Sequence, residues 1–144
     1  RNVIGQGPRY NNPNKDITGV GKEFIIFNYD ALEMYRSVYI CEGALNALTI
    51  GDRGIATMGK AISGYQVNEL LKSSCERFII LLDPDAKKYA INLALKLVAY
   101  KKVKVVFLPE GKDVNDLGRK ETLRLVYQTR YQSYQDLIKL RNEI

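Results

Sequence analysis

Four times along the middle of this chain a short apolar run is followed by an amphipathic stretch, and that alternation restricts the fold more than any other feature. The runs cover residues 38–41, 54–57, 78–82 and 103–108. Each is too short for a typical helix and bounded by polar or turn-forming residues, so each reads as a strand. The run at 78–82, Phe-Ile-Ile-Leu-Leu, is apolar throughout, as a strand covered on both faces must be. Helical patterns separate the runs. One spans 44–50. A second is opened by Ser63-Gly-Tyr-Gln66, which has the form of a capping box, and carries Val67, Leu70 and Leu71 on one side. A third spans 86–100, with Ile91, Ala94, Leu95 and Val98 on one stripe. Repeated strand–helix–strand units predict an α/β fold: a mostly parallel four-stranded sheet with helices on both faces.

Two flanking regions differ in character. Residues 1–36 are rich in Asn, Gly and Pro, with a strand candidate at 23–27 after the Gly-Val-Gly turn at 19–21, so a small β-rich, hairpin-like segment is expected there. Residues 119–144 are polar and helical. Ser133-Tyr-Gln-Asp136 looks like a second helix start, which predicts two short helices with a break near Tyr131. The α/β unit between them spans 37–118. The chain begins with Arg rather than Met, and its polar opening lacks the pattern of a secretory signal, so we read it as a piece of a longer protein.

Composition excludes several chemistries. There is no histidine among the 144 residues, which rules out a Ser-His-Asp triad, a Cys-His pair or a His-rich zinc centre within the chain. The two cysteines, Cys41 and Cys75, lack CxxC spacing and read as buried reduced thiols of an intracellular, cytoplasmic protein. No apolar run approaches the length of a membrane helix. The net charge of +6 suits a phosphate-rich partner, although a solvated lysine-rich surface would give the same sum.

What remains is carboxylates, and they fall at informative places. In an open parallel sheet functional groups gather beyond the carboxyl ends of the strands. Glu42 directly follows the first strand, Asp83 and Asp85 the third, and Asp113 and Asp116 the fourth. Read singly, Asp83 or Asp85 could instead cap the helix that follows, and Asp116 the helix after it. Acids at three strand ends together point to a shared pocket, where like charges need a cation between them. Oxygen donors without His or Cys suit Mg²⁺ or Mn²⁺, as in phosphoryl-transfer sites.

Glu42-Gly43 after a strand, with Asp83-x-Asp85 after a later one, resembles the Toprim domain shared by bacterial primases, type IA and II topoisomerases and some nucleases. Further segments are similar to the primase branch: EGALNAL, Gly59-Lys-Ala-Ile-Ser63, LPEGKDVND, and the opening VIGQGPRYNNP with FNYDAL downstream, which resembles the basic subdomain that leads into the primase Toprim fold. The resemblance implies that Glu42, Asp83 and Asp85 are catalytic and hold a divalent metal, with Asp113 completing or flanking the cluster. It implies nucleotide or template contacts by Arg9, Lys60, Lys87, Lys88 and Lys112, with Asn115 and Asp116 as possible additions. Asn46 departs from the family's usual Asp, which puts a second metal position in question, and the glycine that usually follows the DxD is absent from DPDAKKYA. Tyr10, Tyr65 and Tyr89 read as packing residues.

The activity so implied is metal-dependent joining of nucleotides into an RNA primer, with single-stranded DNA as template and nucleoside triphosphates as substrates. A replicative helicase would be a partner only through other regions of the parent protein, and the source would be a bacterial cell or a phage-infected host. Neither a zinc ribbon nor a GxxxxGK[ST] motor motif is present in the chain. The alternatives are a strand-cleaving Toprim enzyme, and a degenerate Toprim module that only binds nucleic acid or a helicase.

Overall fold

A computed structural model of the chain describes residues 21–144. Its centre is a sheet of four parallel strands, β1 (Ser37–Cys41), β2 (Gly54–Ala56), β3 (Arg77–Ile80) and β4 (Lys102–Val105), in the order β2-β1-β3-β4. The helices are α1 (Ala31–Met34), α2 (Ala44–Ile50), α3 (Gly64–Lys72), α4 (Lys87–Leu97), α5 (Val114–Leu117), α6 (Arg119–Gln128) and α7 (Tyr134–Glu143). Short 3₁₀ turns cover Lys22–Phe24 and Pro84–Ala86. All four strand expectations and the helix at 44–50 are met. The third and fourth runs leave the ladder earlier than their apolar length suggests, because Leu81–Leu82 and Val106–Leu108 continue into the loops that carry the acids.

Alternation along the strands divides the core. Val38, Ile40, Ile55, Phe78, Ile80, Val103 and Val105 face one layer, packed with Val67 and Leu70 of α3, Ile91, Ala94 and Leu97 of α4, and Leu137 of α7. Cys41, Ala56 and Ile79 face the other layer, where Ala47 and Ile50 of α2, Val114 of α5 and Val126 of α6 cover them. Burial on both faces is what a parallel sheet requires. Both cysteines are free and buried, and burial pushes the Cys41 thiol up to about 12.

The 23–27 strand is corrected. Lys22–Phe24 forms a 3₁₀ turn, and only Phe27 pairs, as a single antiparallel bridge to Ala56 on the outer edge of β2. β2 is three residues long, so it offers little ladder to a neighbour. Phe24 instead turns out to meet Tyr65 edge-on, 5.4 Å between ring centres. Asn28 follows in a left-handed conformation (φ 61°), and its amide donates to the Asp52 and Gly54 carbonyls at 3.0 and 2.9 Å. The opposite edge is finished by a loop. Gln132 N–H donates to Val103 O, while its side chain accepts from Val105 N–H and donates to Val105 O.

The capping box at Ser63 is present, and its Gln66 does more than cap. Gln66 is buried. Its carbonyl accepts from Ser63 N–H, and its amide donates to Ile25 O at 2.7 Å and Thr57 O at 2.8 Å. One side chain thus joins the start of α3, the loop after β2 and the segment before α1. Replacing Gln66 with Ala strands those buried groups, so Gln66→Ala is expected to cost about 2–3 kcal/mol in chemical denaturation. Ser63→Ala should cost only about 1 kcal/mol.

The C-terminal pair of helices matches its expected break. Ser133 caps α7, with Asp136 returning the bond. Lys104 is buried at the same join: it donates to Val126 O and Thr129 O at the end of α6 and lies 4.5 Å from the centre of the Tyr131 ring.

Candidate metal centre

The chain turns outward from β1 to β2 on one side and from β3 to β4 on the other, so the strand order reverses between β1 and β3. A crevice opens at such a switch point, beyond the carboxyl ends of the strands. Glu42 leaves β1 there and Asp83 and Asp85 leave β3 there. One carboxylate oxygen from each of the three lies within 4.8 Å of the others. Two backbone bonds fix the strand ends that carry them: Leu81 N–H donates to Ile40 O at 2.8 Å, and Thr57 N–H to Cys41 O at 3.1 Å. Pro84 forces the turn that puts Asp83 and Asp85 on either side of it.

The electrostatics are those of a pocket short of positive charge. Burial, then Asp83 and Asp85, holds the Glu42 carboxyl above the ordinary carboxylate range, opposed by Lys60 and Lys22. Asp83 is raised by burial, then by Asp113 and Asp85. Glu42 Oε1 is buried and has no hydrogen-bond partner among the described residues. An unsatisfied carboxylate oxygen beside two like charges is costly unless a cation meets it. The donor set is all oxygen, so the residues present fit a hard divalent ion.

The remaining expected residues take distinct places. Asp113 caps α5, accepting from Asp116 N–H at 2.8 Å while Asp116 accepts from Asp113 N–H at 3.0 Å. It acts on Asp83 through its charge and lies outside the three-carboxylate group. Asn46 is only 6 % exposed. Its amide lies 3.5 Å from Asp83 Oδ1, and its carbonyl accepts from Asn115 N–H at 3.0 Å, so a neutral side chain spans the gap between β3 and α5. The Asn115 side chain meets Thr49 at 3.1 Å. Lys60 Nζ lies 3.1 Å from Asp85 Oδ2. Lys87 sits over the Phe107 ring at 5.7 Å, and Lys88 and Lys112 are exposed. Arg9 and Tyr10 lie outside the described residues. Tyr65 and Tyr89 are both about half exposed, and Tyr65 meets the Phe24 ring edge-on. Thr49 and the Lys60–Asp85 pair were not foreseen from sequence; the Gly-bounded loop around Lys60 was the signal available.

Glu42 couples the stability of the fold to pH. Its carboxyl binds a proton more tightly folded than unfolded, so folding stability without metal falls as pH rises from the ordinary carboxylate value through the folded one. Above that window the penalty is constant. Glu42→Gln removes it, so in chelator at pH 7 the variant should melt higher than wild type, and no higher at pH 4. Differential scanning fluorimetry checks this, and an equal or lower melting point at pH 7 contradicts it.

An all-parallel sheet with three clustered carboxylates at its switch point defines an α/β domain with an acidic crevice. Residues 39–118, more than half of the chain, match the family described as Toprim-like, and the chain belongs to that family. It is similar to a DNA primase of Lactococcus lactis, 27% identical over an alignment of 112 residues, with coverage of 72% of this chain and 17% of that protein. Its fold is similar to the E. coli primase catalytic core, with a TM-score of 0.65, 17% identity, and coverage of 88% of this chain and 44% of that one. The chain therefore spans about a sixth of that curated relative and less than half of the solved core. Among the described residues no helix is long and apolar enough to cross a membrane.

Proposed function

We propose that this chain is the metal-handling part of a primase, an enzyme that joins ribonucleotides into a primer on single-stranded DNA. The observation that carries the reading is the convergence of Glu42, Asp83 and Asp85 from two neighbouring strand ends, with one Glu42 oxygen buried and without a partner among the described residues. The similarity to two primases supports the choice of reaction. Glu42, Asp83 and Asp85 would hold Mg²⁺ or Mn²⁺, and Asp113 would add negative charge from the flank. Such an ion supplies charge neutralisation for a triphosphate and a lower pKa for an attacking hydroxyl.

The residues themselves contribute placement. Asn46 ties Asp83 to α5 without adding a fourth charge, which fits one tightly held ion better than two. Lys60, Lys88 and Lys112 would serve as cations for phosphate, and the basic balance of the chain suits a nucleic-acid template. Lys87 is a weaker candidate because its ammonium is engaged over Phe107.

The test uses the parent protein with single-stranded template, ribonucleotides and Mg²⁺, run beside nicked, linear and single-stranded DNA without nucleotides. Primer products that vanish with chelator are expected. Cleavage without synthesis would instead identify a strand-cleaving Toprim enzyme. Metal binding that is no better in wild type than in an Asp83→Asn control would identify a module without chemistry.

A further inference from the structure

The acidic crevice already contains a positive charge, supplied by the chain itself. Lys60 Nζ lies 3.1 Å from Asp85 Oδ2, and its charge also acts on Glu42 and Asp83. Its loop is held at both ends. Thr57 Oγ1 donates to Gly59 O at 3.0 Å, Thr57 O accepts from the buried Gln66, and Ser63 caps α3. Between them Met58 adopts φ 66°, and Lys60 follows two residues later. The loop is therefore fixed at its base, and the lysine side chain reaches from it to Asp85 at a solvent-exposed position. The pair is solvated, with 41 % of the Lys60 side chain and 70 % of the Asp85 side chain exposed. Solvated ion pairs of this kind contribute little net stability and break readily.

An ammonium and a divalent cation compete for the same Asp85 carboxylate. We propose that Lys60 is an exchangeable counterion of this site: it pairs with Asp85, gives that carboxylate up when a divalent cation binds, and then contacts a phosphate oxygen of the triphosphate held there. The inference rests on reading Glu42, Asp83 and Asp85 as the metal site, and it adds a positioning role that the acids alone do not contain. The flexible four-carbon stem makes the move possible without any change in the backbone. A lysine released beside a polyanionic substrate finds a better partner than the carboxylate it left.

Competition predicts effects of opposite sign, which a merely structural lysine would not give. The full chain is titrated with Mn²⁺ by calorimetry, then with the Mn²⁺ complex of a non-hydrolysable ATP analogue, for wild type, Lys60→Met, Lys60→Arg and Glu42→Gln. Lys60→Met is expected to bind Mn²⁺ about three- to tenfold tighter, because a competing charge is gone. The same variant should bind the nucleotide complex about three- to tenfold more weakly, and Lys60→Arg should restore that second affinity. Mn²⁺ affinity that is unchanged or weaker in Lys60→Met, with normal binding by wild type, overturns the exchange. Tighter Mn²⁺ with unaltered nucleotide binding overturns it too, since the phosphate contact would be missing. Wild type that takes up Mn²⁺ no better than Glu42→Gln overturns the site reading itself, and this proposal with it.

Discussion

If the parent protein makes primers as proposed, Asp83→Asn is expected to lower Mg²⁺-dependent primer synthesis by at least about a hundredfold, the usual scale for losing one electrostatic stabiliser of a transition state. Asp83 stands between the other acids. It comes from the central strand β3, shares the crevice with Glu42 and Asp85, and feels the charge of Asp113. The substitution keeps the shape of the side chain and leaves the neutral Asn46 beside it, so the fold has no reason to change. What disappears is one anionic ligand oxygen. Without metal the variant should be as stable as wild type or slightly more so, because burial and like charges penalise the native carboxylate. Added Mg²⁺ should raise the melting point of wild type and not of the variant. Primer synthesis above about a tenth of the wild-type rate would exclude Asp83 from the reaction.

Gly54→Ala should produce the largest loss of stability among single-methyl additions in this domain. Gly54 opens β2 where α2 crosses it. A β-carbon there would lie 2.3 Å from the backbone oxygen of Ala47 and 3.0 Å from its Cα. No rotamer relieves a collision between a methyl group and a main-chain carbonyl, so α2 or β2 must move. Overpacking of this severity costs about 3 kcal/mol, roughly a 10 °C fall in melting temperature for a domain this size. The displacement also reaches the crevice, because α2 carries Asn46 and starts two residues after Glu42. Metal affinity should therefore fall along with the melting point. A Gly54→Ala variant that melts within about 2 °C of wild type would show that the close approach of helix to strand is not tight in solution.

The layered architecture was legible because it depends on period and spacing. Four apolar runs separated by amphipathic stretches leave few alternatives once crossovers must be right-handed. Helix starts with a hydroxyl or carboxylate followed three residues later by an acid or amide were equally readable, as Ser63 and Ser133 show. The segment before α1 was not readable. Ile25, Ile26 and Phe27 look like a strand locally, but their conformation is decided by Gln66, Asn28 and the short outer edge of β2. The position of each acid relative to its strand was visible in the sequence. Their mutual distance follows from the strand order, which places β1 beside β3 and puts the shortest path between Glu42 and Asp83 across the switch point. The Lys60–Asp85 contact joins two loops 25 residues apart and has no periodic signature at all. Lys104 has no local signature either: a lysine inside a strand, it is buried and donates to the Val126 and Thr129 carbonyls at the end of α6.

The two finished borders of the sheet bear on how this domain is handled at the bench. Phe27 and Asn28 close the flank of β2, and Gln132 closes that of β4, yet all three lie outside the stretch that matches the family. Trimming a protein to the matched residues would uncover the Gly54 and Ala56 groups on one border and the Val103 and Val105 groups on the other, and open borders of this kind recruit strands from neighbouring molecules. An expression fragment that begins before Phe27 and runs through α7 keeps both seams sewn.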